Sequence, residues 1–143
     1  MTSDFEQIAS RTIFEGHIIT VKENRYRYDD GHEADREIVE HGGAVAVVVH
    51  DGEQLYLVRQ PREAIPSPDM LELPAGKLDV EGEPPVECAK RELAEEIGKA
   101  AATWEHLHDF YTSVGFSNEL VHVYLATNLS DVEKPDIDEH ERI

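Results

Sequence analysis

The sequence predicts an α+β fold, and three observations carry that reading. Strand-like alternation fills much of the first 60 residues, one amphipathic segment between Pro84-Pro85 and Gly98 has helical spacing, and strand-like patterning returns after it. With 143 residues the chain is long enough for one domain with a core of its own. Acidic residues number 31 against 13 basic, a formal net charge of -18. Such a surface repels nucleic-acid backbones and anionic membranes, and it suits cations or serves solubility. The single cysteine, Cys88, excludes an internal disulfide. No apolar run approaches the ~20 residues needed to cross a bilayer. The first ten residues, MTSDFEQIAS, contain acids and lack the apolar region of a signal peptide. The expectation is a cytoplasmic protein with no nucleic-acid and no membrane partner.

Element by element, residues 11–28 alternate and are rich in Ile, Val and Tyr, so they read as strand. Asp30-Gly31 marks a hairpin turn, and 36–40 return as the second arm. After Gly42-Gly43, AVAVVV at 44–49 is apolar on both faces and reads as a buried strand; 55–58 pair back after a turn at 50–53. Pro61, Pro66 and Pro68 make 61–70 an exposed irregular loop. A short strand at 71–73 and a loop at 76–82 lead to Pro84-Pro85, where a helix can begin; it runs to about Ile97 and stops at Gly98. Residues 106–111 and 120–126 read as strands around a loop at 113–119, and 131–141 as an acidic loop. No second long helix covers the other face of the sheet, so a C-terminal helix is expected to be missing from this chain.

The helix poses a chemical question. Glu92, Glu95 and Glu96 lie at i, i+3 and i+4 and share one face, apart from the apolar flank of Val86, Leu93 and Ile97. Like charges at that spacing cost about 0.2–0.5 kcal/mol per pair. A solvated, salt-bridged face accounts for Glu95, with Arg91 four residues before it and Lys99 four after, and for Glu96, with Lys99 three after. Glu92 has only Cys88, Ala89, Glu95 and Glu96 as helical neighbours. A hard divalent cation held by oxygen ligands is the alternative.

The stretch LPAGKLDVEGEPPVECAKRELAEEIG, residues 73–98, resembles the Nudix box, G-x5-E-x7-R-E-U-x-E-E-x-G-U. Glu83, Arg91, Glu92, Leu93, Glu95, Glu96 and Gly98 match. Six residues rather than five separate Gly76 from Glu83, and Lys99 fills the last, normally apolar position. Beyond the box, REIVEHGGAVAVVV, LVRQPREA, LELPAGKLD and YTSVGFSNE resemble the ADP-ribose pyrophosphatase branch of the family, with Val114 where that branch has proline.

The resemblance implies a Nudix-type α/β/α sandwich with a mixed sheet, preceded by an N-terminal antiparallel β-hairpin. It implies one domain, with a hairpin region at about 1–40 and a catalytic core at about 41–143. It further implies Mg²⁺- or Mn²⁺-dependent hydrolysis of a nucleoside diphosphate sugar, above all ADP-ribose to AMP and ribose 5-phosphate, in a homodimer. The alternatives are another nucleotide sugar or a dinucleotide, or a catalytically silent nucleotide sensor. By the same resemblance, Glu92 and Glu96 are metal ligands with the backbone carbonyl of Ala75. Glu95 is a further ligand or stays with Arg91, and Arg91 and Glu83 tie loop to helix. Glu139, then Glu141, are candidates for the general base. Arg62 is the phosphate contact, with a surface ion pair to Glu63 or a neighbour as the alternative, and Arg36 either reaches the nucleoside or pairs across the hairpin. Tyr26, Tyr28 and Trp104 read as packing rather than stacking residues, Cys88 packs as a small apolar group, and the eight histidines show no metal spacing.

Overall fold

The computed structural model describes residues 4–135. They form two compact units, divided at Gly43: one runs through Gly43 and takes in the segment 111–120, and the other holds the remainder.

The first unit is a three-stranded antiparallel sheet of β1 (Phe5–Glu15), β2 (Ile19–Tyr28) and β3 (Glu33–His41), in that order. The sequence reading of 11–28 as one strand of a hairpin is corrected here. The chain turns at 16–18, where the Gly16 N–H donates to the Ile19 carbonyl, and β1 begins at Phe5. The alternation does break there, at the apolar pairs Ile13-Phe14 and Ile18-Ile19 with Gly16 between them, a turn signal that the strand reading passed over. Cross-strand ion pairs line the sheet: Arg11–Glu23, Arg25–Asp35, Arg27 with Glu6 and Glu33, and Lys22–Glu40. Exposed pairs of this kind contribute at most about 1 kcal/mol each and chiefly fix register. The segment 111–120 is tied to β3 by Val39 N–H to the Phe116 carbonyl, Asn118 N–H to the Val39 carbonyl, and His41 N–H to Asn118 Oδ1.

In the second unit β4 (Ala44–His50) is central. It runs parallel to β10 (Leu120–Asp131) and antiparallel to β5 (Leu55–Tyr56) and β8 (Ala75–Lys77), and β9 (Lys99–Tyr111) flanks β10, so the sheet is mixed. Both β9 and β10 outrun their expected spans. Polar residues such as Thr103 and Asn128 dilute the strand signal at those ends, while an Asn128 side-chain bond to Thr103 Oγ1 joins them in the fold.

The expected loop at 61–70 is also corrected. β6 (Val58–Arg62) and β7 (Ser67–Glu72) form a two-stranded antiparallel ribbon. In a ribbon each strand keeps an open edge, where proline forfeits no ladder bond, and the register shifts between Gln60 and Arg62, where Pro61 sits.

Helix α1 (Pro85–Ile97) follows its sequence signals. Pro84 is the N-cap and Pro85 opens the first turn; Gly98, at φ 66°, donates its N–H to the Ala94 and Leu93 carbonyls, a left-handed cap that a side chain would strain. The core is made where α1 meets β4: Val45, Val47 and Val49 pack with Cys88, Ala89, Leu93 and Ala126, all fully buried. Full burial thus alternates along β4; Ala44, Ala46 and Val48 are half-buried, which qualifies the expectation of a strand buried on both faces. Among the described residues α1 is the one helix, so the class is α+β, and the second helical layer of an α/β/α sandwich is not among them. Among the same residues no helix is long and apolar enough to cross a membrane.

Leu93 is the largest fully buried side chain. Leu93→Ala is expected to cost about 2–5 kcal/mol, read as a lowered urea midpoint. Val114→Ala, at a position 84% exposed, is expected to stay within about 0.5 kcal/mol.

Candidate active site

Helix α1 carries two kinds of side chain into the protein. Leu93 and Ala89 enter the core, and so do two carboxylates: Glu92 is 5% and Glu96 6% exposed. A buried carboxylate is tolerated only with polar partners. For Glu96 one is the backbone of the box loop, since Ala75 N–H donates to Oε2 at 3.0 Å. For Glu92 one is Arg91, whose Nη1 donates to Oε1 at 3.0 Å. The expectation that no cation adjoins Glu92 is therefore corrected. It considered only positions three and four residues away, whereas the long arginine side chain reaches the neighbouring residue.

Arg91 is the hub of the cluster. Its Nε and Nη2 grip Glu83 in a two-point fork at 3.0 and 3.1 Å, and Nη1 also reaches Glu95 Oε2 at 3.2 Å. Glu83 lies in the loop before the helix, so the fork pins that loop to the second turn. Its hydrogen bond to Arg91 holds the Glu83 carboxyl below the usual carboxylate range, and the same bond raises the Arg91 pKa. Lys99, the other cation of the salt-bridged reading, leaves the helix face altogether. The chain reverses at Gly98, and Lys99 pairs with Asp131 and lies over the Tyr56 ring.

The carboxylate of Glu92 has a second constraint. A Cβ added to Gly76 would stand 2.1 Å from Glu92 Cδ and Oε1 and 2.4 Å from Cγ. Strand β8 thus passes so close to α1 that only hydrogen fits between them. Cys88, one turn before Glu92, packs in the core as expected; burial pushes its thiol up to about 12, so it stays protonated and unreactive at neutral pH.

Three glutamates on one helix face, two of them buried, offer oxygen donors only, and the backbone set against them meets Glu96 with the Ala75 N–H and Glu92 with Gly76. One guanidinium cannot neutralise Glu83, Glu92 and Glu95 together. That chemistry and the side-chain-free cradle at Gly76 fit a hard divalent cation.

Arg62, at the end of β6, forks onto Glu72 of β7 through Nε and Nη2 at 2.7 and 2.6 Å, and Gln60 adds a third hydrogen bond to Glu72. That bond to Glu72 raises the Arg62 pKa, and the Glu96 charge adds to it. Glu72 and Gln60 escaped the sequence reading because the prolines concealed the ribbon that pairs them. Arg36 belongs to the first unit, where it bonds the Asp35 carbonyl and the Tyr28 hydroxyl. Tyr26 and Tyr28 pack around Phe5, and Trp104 against Tyr124. Glu139 and Glu141 lie outside the described residues.

Comparison with known proteins bears on the chain's family and fold. A model of the NUDIX domain matches residues 40–143. An ADP-ribose pyrophosphatase from Mycobacterium tuberculosis (strain ATCC 25618 / H37Rv) is 46% identical over 134 residues, which is 93% of this chain and 64% of that protein. An ADP-ribose pyrophosphatase from Bacillus subtilis (strain 168) is 43% identical over 136 residues, 94% of this chain and 72% of the relative. The chain therefore spans roughly two thirds of the length of these relatives. A crystal structure described as an ADP compounds hydrolase superposes with a TM-score of 0.81 at 24% identity, over 96% of this chain and 74% of that one, a likeness that shows the fold.

Gly76→Ala is expected to leave the helix content unchanged by circular dichroism but to weaken Mn²⁺ binding, followed by electron paramagnetic resonance, by about tenfold or more. The ion pairs also predict an acid response. Glu83 and Glu72 titrate lower in the folded than in the unfolded chain, because Arg91 and Arg62 hold them ionised. Their contribution is complete above the ordinary glutamate value of about 4.3 and is lost as pH falls below it. Urea titrations are expected to show the stability gap between the parent and Arg91→Gln narrowing as pH drops through that window.

Proposed function

The chain belongs to the Nudix family, and from that premise we propose that it hydrolyses ADP-ribose to AMP and ribose 5-phosphate. The observation that carries this is the burial of Glu92 and Glu96 on α1 against the Ala75–Gly76 backbone. The two ADP-ribose pyrophosphatases at 46% and 43% identity direct the choice of substrate. Glu92, Glu96 and the Ala75 carbonyl would hold Mg²⁺ or Mn²⁺, with Glu95 either a further ligand or kept by Arg91, to which it is hydrogen-bonded. The bound cation supplies neutralising charge to the diphosphate and a lowered pKa to the attacking water. Arg91 and Glu83 keep the ligands' helix in register with the loop. Arg62, braced by Glu72, offers a guanidinium to phosphate oxygens, a geometry that a planar fork matches.

A base near the attacking water completes the set, and the acidic stretch after the sheet supplies Glu139 first and Glu141 second. Water adds to one phosphorus while the bridging P–O bond breaks, and the base takes the proton. The working unit in this reading is a cytoplasmic homodimer.

Incubation with ADP-ribose and Mg²⁺ tests the proposal. AMP release is expected from the parent chain and not from Glu96→Gln. AMP from both would remove Glu96 from the site, and none from a parent that binds Mg²⁺ would remove ADP-ribose as substrate. Glu139→Gln is expected to lower kcat about 10²–10⁴-fold and to erase the acidic limb of the pH profile. If Glu141→Gln does so instead, the base is Glu141.

A further inference from the structure

Away from the box, three side chains on two neighbouring strands converge. His106 and Asp109 belong to β9 and His122 to β10. One oxygen of Asp109, Oδ1, lies 2.6 Å from His106 Nε2 and 2.8 Å from His122 Nδ1. A donor atom from each residue lies within 4.8 Å of the other two. The sequence reading found no metal spacing among the histidines, and this cluster has none. Residues 106 and 109 would face opposite ways on a regular strand, and His122 is 13 residues further on, so only the fold brings them together.

A solvent-facing carboxylate bridging two imidazoles can be no more than a pair of surface ion pairs. Three features favour a binding site. The donors come from three side chains and two strands and point at one place. The exposure is graded: the His122 side chain is 19% exposed, Asp109 42% and His106 50%, so an ion has access while one ligand is already fixed. The His106 ring also rests edge-on against Tyr124 at 5.5 Å, which restrains its rotation. Hydrogen bonds to His106 and then His122 hold the Asp109 carboxyl below its ordinary range, so it is available as a carboxylate ligand.

We propose that His106, Asp109 and His122 form a second metal site, one that takes a divalent transition metal such as Zn²⁺ or Co²⁺ rather than Mg²⁺. Imidazole nitrogen is a borderline donor that suits these ions, whereas Mg²⁺ seeks oxygen. Bond lengths of about 2.0–2.2 Å to nitrogen and oxygen are normal for such an ion. On those bonds tetrahedrally placed donors sit roughly 3.4 Å apart, so the two His–Asp contacts open by about 0.6–0.8 Å as the ion takes the place of the two hydrogen-bonding protons, each neutral imidazole keeping its proton on its other nitrogen. Half-exposed side chains can make that adjustment. Three protein ligands leave a coordination position for water or an outside ligand. The ion would cross-link β9 to β10, with a donor set chemically distinct from the all-oxygen set on α1.

The test uses the full chain with the box disabled by Glu92→Gln and Glu96→Gln. Calorimetric titration with Zn²⁺ is expected to show one equivalent bound, and titration with Mg²⁺ none. Adding His106→Ala and His122→Ala is expected to weaken Zn²⁺ binding by about tenfold or more. Unchanged affinity in that variant, or no saturable Zn²⁺ binding by the box-disabled chain, overturns the proposal. A second measurement needs no substitution. In the parent protein, the ring ¹⁵N signals of His106 and His122 are expected to shift with stoichiometric Zn²⁺ and to stay in place with Mg²⁺. Shifts confined to other histidines refute the site.

Discussion

Glu92 can lie where it does only because residue 76 has no side chain. The contact between Gly76 and the Glu92 carboxyl sets how near β8 comes to α1, and the rest of the site inherits that spacing. At this distance the Ala75 N–H meets Glu96, so one short strand addresses two carboxylates a turn apart. The same strand pairs with β4, whose Val45, Val47 and Val49 pack with the apolar side chains of α1. The helix is thus held by its hydrophobic flank while its acidic flank is pressed against backbone. Burial of Leu93 and Ala89 helps to offset the cost of placing charge beside them.

The acidic face is organised rather than merely tolerated. Arg91 joins a loop glutamate to two helix glutamates and so fixes the loop–helix angle, while leaving more negative charge than it cancels. A site that keeps surplus negative charge is poised for a cation. The surplus also makes the arrangement sensitive to acid, since each carboxylate that accepts a proton loosens its hold on the arginine. Glu72 does for Arg62 on the β6–β7 ribbon what Glu83 does for Arg91: a carboxylate orients a guanidinium. In the proposed function the first arginine serves the metal ligands and the second is set out for the substrate.

Two donor chemistries then sit in one unit: oxygen on the helix, and nitrogen with one oxygen on β9 and β10. Under the two proposals, ions of different hardness would sort between them on chemical grounds. The first set is compact in sequence and the second is not.

That difference decides what could be read in advance. The helix, its proline start and glycine stop, the shared face of Glu92, Glu95 and Glu96, and the strand at 44–49 follow from local rules, because spacing along one element fixes which side chains are neighbours. The resemblance to the Nudix box was legible for the same reason. What lay beyond the sequence were relations across the chain. The turn at 16–18 rested on one glycine between two strand-like stretches, and the β6–β7 ribbon hid behind three prolines, two on the strands and one in the turn. Arg91 reached a neighbour that helical geometry does not pair with it, and His122 met Asp109 across strands. Sequence determined which residues are helical, which are apolar and where the acidic face lies. Tertiary structure decided which carboxylates are buried, which arginine serves them and why residue 76 must be glycine, because those depend on distances between elements that no local spacing encodes.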